Sequence, residues 1–193
     1  MPETRHDPMV LPANLPVPAD DGAADHLRGS LVPEVRLPAT DGRQISLAEF
    51  DGRRVVVYAY PRTGRPGEAP LVDDWDLIPG ARGCTPETCG FRDHHAEIQA
   101  AGAEVFGLST QSTAYQQELV ERLRLPFAIL SDEKLELTKA WRLPVFEAAG
   151  QTLLRRLTVV IRNGRVEHLW YPVFPPDRHA DDVLAWLRAN PTS

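Results

Sequence analysis

Long apolar runs are missing from this chain of 193 residues. No stretch approaches the roughly 20 consecutive apolar residues of a membrane span, so no membrane protein is expected. Runs of Lys and Arg are missing as well. The formal charge is −6, and the pair Arg155-Arg156 lies inside a strand-like segment, which argues against a nucleic-acid binder and its basic patch. Behind Met1-Pro2-Glu3-Thr4-Arg5-His6-Asp7 there is no apolar signal core, so the expectation is a cytoplasmic protein. Cysteine is scarce: Cys84 and Cys89 are the only two. Two cysteines without an export signal exclude a disulfide scaffold and point to metal binding or redox catalysis. Internal repeats are absent.

What is present reads as one domain with an extension. Residues 1–30 carry Pro2, Pro8, Pro12, Pro16 and Pro18, which forbid a regular helix and predict an extended or disordered arm. Leu11, Leu15 and Val17 are the residues able to pin it to the body. From residue 31 onward the pattern is that of a domain. Asp41-Gly42 between short strands marks a hairpin, and Ser46 with Glu49 forms a capping-box pattern. Arg54 to Tyr60 is an unbroken β-branched and aromatic run ended by Pro61, the mark of a central strand buried on both faces. Residues 62–83, broken by Gly64, Pro66, Gly67, Pro70, Pro79, Gly80 and Gly83, form a long loop, with Leu71, Trp75, Leu77 and Ile78 as anchors. A helix is expected from Thr85 or Pro86 to about Ala101. A strand over 104–109, a helix over 113–123, a strand over 126–130 and a short helix capped by Asp132 follow. Strands at 157–161 and 166–170 join through Asn163-Gly164, and a final amphipathic helix follows Asp177. This order predicts an α/β fold with a mixed central sheet flanked by helices.

The cysteines stand among polar residues, in Gly83-Cys84-Thr85-Pro86-Glu87-Thr88-Cys89-Gly90-Phe91-Arg92-Asp93. At a helix N-terminus, unpaired N–H groups and the macrodipole favour thiolate, so Cys84 is expected to be mostly ionised at neutral pH and to be the nucleophile. Cys89, a turn and a half further on, is expected to titrate near the ordinary value and to act second. Five residues along a helix separate Cα atoms by roughly 8–9 Å, beyond the roughly 7 Å that a disulfide tolerates; bonding would require unwinding. Zinc is disfavoured, because His94 and His95 do not converge with the cysteines on one helix face. His6, His26, His168 and His179 read as surface or edge residues.

These segments resemble a peroxiredoxin, closest to the bacterioferritin-comigratory or Q-type two-cysteine branch, from about Leu31 to the C-terminus. The resemblance rests on Pro38-Ala39-Thr40-Asp41-Gly42, on Val55 to Pro61, on Gly83 to Asp93, on Gly102 to Ser109, on Leu125 to Asp132 and on Arg156 to Ile161. It implies a thioredoxin-like fold and a thiol-dependent peroxidase acting on hydrogen peroxide or organic hydroperoxides. Cys84 would become sulfenic acid, Cys89 would condense with it, and a dithiol protein, thioredoxin or glutaredoxin, would reset the pair. Arg156 would stabilise the thiolate, with Arg155 as its rival because strand neighbours face opposite ways. Glu87 would hold the arginine, and Pro61 would be the active-site proline. No cofactor or metal is implied, and a monomer or weak dimer is expected. The chain departs from the family where a threonine is expected: Ala81 stands three before Cys84. Thr63, just after Pro61, is the candidate to supply the hydroxyl, with Thr85 as competitor. A disulfide oxidoreductase, which usually carries Cys-x-x-Cys, and a redox-sensing or partner-binding domain with little turnover are the alternatives.

Overall fold

The computed structural model describes residues 6–193; Pro2 and the rest of residues 1–5 of the arm lie outside the described residues. A small hairpin pairs β1 (Arg36–Pro38) with β2 (Gln44–Ser46). The long strand β3 (Arg54–Ala59) follows, then the loop, α1 (Cys84–Asp93), α2 (His95–Ala100), β4 (Ala103–Ser109), α3 (Thr113–Leu123), β5 (Ile129–Ser131) and α4 (Glu136–Trp141). A hairpin of β6 (Val145–Ala148) and β7 (Gln151–Leu154) precedes β8 (Leu157–Arg162), β9 (Arg165–Trp170) and α5 (His179–Ala189). The central sheet runs β5-β4-β3-β8-β9. β3, β4 and β5 are parallel, and β8 and β9 are antiparallel additions. This is the mixed sheet of a thioredoxin-like α/β fold.

Every residue of β3 is buried. Side chains alternate across a strand, so β3 feeds two cores. Val55, Val57 and Ala59 join Leu37, Leu130, Trp141 and Leu157 on one face. Val56, Tyr58 and Tyr60 join Phe91, Ile98, Leu119 and Val183 beneath the helices on the other. Tyr58 stacks on Phe91 at 4.4 Å between ring centroids, which fixes α1 over the central strand.

Several local expectations are corrected. The helix expected through Ala101 breaks at His94 into α1 and α2, and it starts at Cys84 itself. The capping box does not form: Ser46 precedes only a 3₁₀ turn, makes no cap bond, and buries its hydroxyl without a partner. Asp132 does cap, at a distance; its carboxylate accepts the N–H groups of Leu137 and Thr138. No sequence pattern marks the β6–β7 hairpin, because Glu147-Ala148-Ala149-Gly150 lies between short mixed segments without strong alternation. That hairpin is what the loop packs on. Trp75 and Ala81 bury against Ala148 and Leu153, with Leu71 and Ile78 alongside, whereas Leu77 stays exposed.

The N-terminal arm follows an irregular course against the body. Ala24 and Leu27 enter the main core and Pro8 is buried, while Val17 is exposed. The Arg82 guanidinium donates to the carbonyls of Asp7 and Val10 at 2.6 and 2.8 Å, and it contacts His6 and Asp76. The arm is thereby tied to the residues just before Cys84.

Candidate active site

Cys84 is the first residue of α1, set there by Gly83, whose φ of 106° is in the left-handed region. A side chain at Gly83 would overlap Pro176 and Leu11, so glycine is required by both backbone and space. The thiol is 3% exposed. Arg156 Nη2 donates to its sulfur at 3.1 Å, and the thiol donates to the Ala81 carbonyl at 3.6 Å. The same Nη2 reaches the carbonyls of Gly80 and Arg82, each at 3.2 Å, while Nη1 pairs with Glu87. One guanidinium therefore gathers the end of the loop, the nucleophile and the first turn of α1. Arg155 is the wrong neighbour for this work: its guanidinium lies over Phe146 and donates to the Val145 carbonyl.

The electrostatics at Cys84 pull in both directions. Burial pushes the Cys84 thiol up; Arg156 and the backbone N–H of Arg62 draw it down without cancelling the desolvation. A helix N-terminus is worth at most about 2 kcal/mol, less than the cost of a fully desolvated charge. Burial also pushes Glu87 up to about 7, against the pull of Arg156, and leaves its Oε1 without a partner. Burial works against the Arg156 charge, yet Cys84 and Glu87 hold its proton above the ordinary range. Cys89 is also pushed up by burial, with Arg92 opposing.

Pro61 is buried, and the next N–H, that of Arg62, faces Cys84. Thr63 is buried too, but Gln111 clamps it. Its hydroxyl and N–H both donate to Gln111 Oε1, at 3.2 and 3.0 Å, and Gln111 Nε2 donates back to its carbonyl at 3.1 Å. The Thr63 hydroxyl proton is therefore committed to Gln111. Thr85 buries its hydroxyl without a partner. Gln111 was not readable as a site residue, because nothing local in sequence ties it to Thr63. His179 corrects the surface reading of the histidines. It is 2% exposed, meets the Thr158 hydroxyl at 2.7 Å, and burial, with Arg156 nearby, lowers it to about 3.

Cys84 and Cys89 are both free thiols on one intact helix. Their helical separation of about 8–9 Å keeps them apart in this conformation. Beside Arg156 opens a cavity of about 230 Å³, walled by Pro18, Pro79, Phe146, Tyr171 and Val173. Among the described residues no group of three or more His, Cys, Asp or Glu is placed to hold a metal. No helix among them is long and apolar enough to cross a membrane.

Comparison with known proteins places this geometry. The Redoxin family model matches residues 27–184. A chloroplastic peroxiredoxin Q of Gentiana triflora is 32% identical over 183 residues, covering 92% of this chain and 76% of the relative. Peroxiredoxin Bcp of Escherichia coli K12 is 32% identical over 166 residues, covering 84% and 96%. Among solved structures, peroxidoxin BcpB of Mycobacterium tuberculosis superposes with a TM-score of 0.67 at 27% identity, covering 86% of this chain and 98% of that one. The cytoplasmic expectation does not stand: the matching plant peroxiredoxins Q are chloroplastic. It rested on a missing apolar core near the N-terminus, and the chemistry of a thiol pair carries no information about compartment.

Proposed function

The chain belongs to the redoxin family as a two-cysteine peroxiredoxin of the Q/Bcp type, a thiol peroxidase with Cys84 as peroxidatic and Cys89 as resolving cysteine, and from that premise we propose how its residues divide the work. The Cys84 sulfur, once ionised, attacks the distal oxygen of the hydroperoxide. An S–O bond forms, the O–O bond breaks, and the departing alkoxide or hydroxide takes the proton that Cys84 released. Arg156 favours the thiolate and draws the peroxide by charge-assisted hydrogen bonds. Glu87 holds Arg156 in place. Pro61 shields the sulfur on one side and sets the Arg62 N–H toward it. Thr63, clamped by Gln111, positions that turn. Cys89 then displaces hydroxide from the Cys84 sulfenic acid, so that an S–S bond forms and water leaves. Thioredoxin or glutaredoxin returns both sulfurs to thiols.

Both cysteines sit on one helix, so resolution needs no second subunit; this supports a monomer or weak dimer. The arm of residues 1–30 and the body from residue 31 divide along the same lines, with the site in the body and residues 62–83 as a loop inserted beside it. The cavity beside Arg156 has room for a hydrocarbon tail, which supports organic hydroperoxides as substrates alongside hydrogen peroxide. The observation that carries the reading is Arg156 Nη2 at 3.1 Å from the Cys84 sulfur. A coupled assay with reduced thioredoxin, run with hydrogen peroxide and with cumene hydroperoxide, tests it. Steady turnover with both is expected. One equivalent consumed without turnover, whatever dithiol is supplied, would identify a redox sensor instead.

A further inference from the structure

The site as described lacks a hydroxyl to meet the peroxide. Ala81 has none, and the Thr63 hydroxyl is spent on Gln111. A departing oxygen that gains negative charge as its bond breaks needs a donor aimed at it, and such donors contribute most when they are pre-positioned in a dry site. Three buried donor groups near Cys84 have no hydrogen-bond partner: the Tyr60 hydroxyl, the Thr85 hydroxyl and Arg156 Nε.

Two tyrosines of the central strand point to the helix face, and they differ in one respect. Tyr58 donates its hydroxyl to Thr88 Oγ1 at 3.2 Å. Tyr60 stacks beside it at 5.7 Å between centroids, is 0% exposed, and packs in the same cluster as Cys84 and Cys89. Its hydroxyl makes no hydrogen bond of good geometry, although Ser109 Oγ lies near enough to favour the ionised phenol. Ser109 Oγ, the group best placed to satisfy it, already accepts from Gln116 Nε2 and the Gln111 N–H. Buried hydroxyls are nearly always bonded, and an exception calls for an explanation. Tyr60 also immediately precedes Pro61, on the segment whose next N–H faces the sulfur.

We propose that Tyr60 is the hydroxyl donor to the peroxide in this chain, standing in for the threonine absent at Ala81. The phenol keeps its proton throughout. It donates a hydrogen bond to the peroxide oxygen that leaves as the sulfur–oxygen bond forms, and the leaving oxygen takes its proton from the Cys84 ionisation. Burial, and after it the neighbouring Cys84 charge, pushes the phenol well above its ordinary range, with Ser109 easing the rise; the donor therefore stays protonated. Thr85, whose buried hydroxyl is also unpaired, is the rival.

This inference rests on the peroxidase reading, and Tyr60→Phe in the full chain tests it apart from that reading. Removing a hydroxyl that bonds to nothing should leave thermal stability unchanged or raise it. The second-order rate of Cys84 oxidation by hydrogen peroxide should fall about 10- to 100-fold, the range for a hydrogen bond to a developing charge. Alkylation of Cys84 by iodoacetamide, which breaks no O–O bond, should proceed at the wild-type rate, a selectivity that a merely structural role would not produce. Thr85→Val should oxidise within about twofold of wild type. A wild-type peroxide rate in Tyr60→Phe, an equal loss in the alkylation rate, or a loss confined to Thr85→Val would each overturn the proposal. An unmodified chain that does not react with peroxide at all would instead overturn the peroxidase reading itself.

Discussion

The two cysteines of α1 are held in opposite ways. Cys84 is gripped by polar contacts from separate stretches of chain: Arg156 from before β8, the Ala81 carbonyl and the Arg62 N–H. Gly83, wedged between Leu11 of the arm and Pro176 ahead of α5, locks the turn below it. Cys89, a turn and a half away, has an apolar setting among the helix-side core residues, with Arg92 as its charged neighbour. The first setting is built for a single geometry and the second for packing. The difference teaches that the two chemical steps ask opposite things of one helix. Peroxide attack needs the N-terminal turn intact, because that turn holds the sulfur under Arg156. Disulfide formation needs the same turn undone, because the helical spacing exceeds disulfide reach. Whatever ties down residues 80–84 therefore favours the first step at the expense of the second.

The comparison is broken most completely at the sulfurs. Cys84→Ser should abolish peroxide consumption, while Cys89→Ser should leave the first oxidation at the wild-type rate and stop at sulfenic acid. Rapid mixing with one equivalent of peroxide, followed by mass spectrometry, separates the two; equal loss in both variants would reverse the assignment.

Next in size is the arginine. Arg156→Met removes the donor to the sulfur and the partner of Glu87. It should raise the Cys84 pKa further and slow oxidation about 10- to 100-fold. Arg155→Met should leave both within about twofold. Thiolate absorbance against pH is the measurement.

The packing end is sharpened through His179, whose ring meets Phe91 of α1 edge-on at 5.9 Å. Its folded pKa, lowered to about 3, lies below the unfolded value near 6.5. Between those values the unfolded chain binds the proton and the folded chain does not. The His179 contribution is therefore present in full above about pH 6.5 and is lost progressively as pH falls toward about 3. From pH 7 to 5 the loss is about 2 kcal/mol. Glu87, raised to about 7, works in the opposite sense over the same window, so only a variant isolates the histidine. Denaturant unfolding at the two pH values should show wild type losing about 2 kcal/mol more than His179→Asn.

The smallest expected effect concerns the tie itself. Arg82→Ala frees the arm carbonyls of Asp7 and Val10 from the residues before Cys84. If that tie restrains unwinding by about 1 kcal/mol, the net worth of a hydrogen bond, the sulfenic acid should close to the disulfide about fivefold faster. Amide exchange from Thr85 to Phe91 should quicken accordingly, and unchanged closure would show that the arm does not hold the turn.

Much of this was legible before any coordinates. The unbroken run from Arg54 to Tyr60 announced a strand buried on both faces, because only apolar side chains tolerate both. Asn163-Gly164 announced its hairpin through the backbone freedom of that pair, and Cys84 and Cys89 announced themselves by their polar setting on a helix start. The β6–β7 hairpin was not legible, since its short, mixed segments are held by the loop that packs on them. Nor was the burial that pushes the Cys84 thiol up. Helix-end electrostatics can be estimated from position, whereas desolvation depends on how much of the distant chain closes over the sulfur.

The sequence by itself determined which chemistry is available: two thiols five residues apart among polar residues at a helix start, which follows from residue type and spacing and is local. The arginine and glutamate that organise them, and the missing threonine at Ala81, are what the resemblance to peroxiredoxins implied. Only the tertiary structure decided which groups meet. It turned Arg156 rather than Arg155 toward the sulfur, committed Thr63 to Gln111, left the Tyr60 hydroxyl unpaired and buried His179 beside Thr158. The contacts among these join residues 72, 48 and 21 positions apart, set by how the helices and the loop close onto the sheet, and no pattern along the chain encodes that closure.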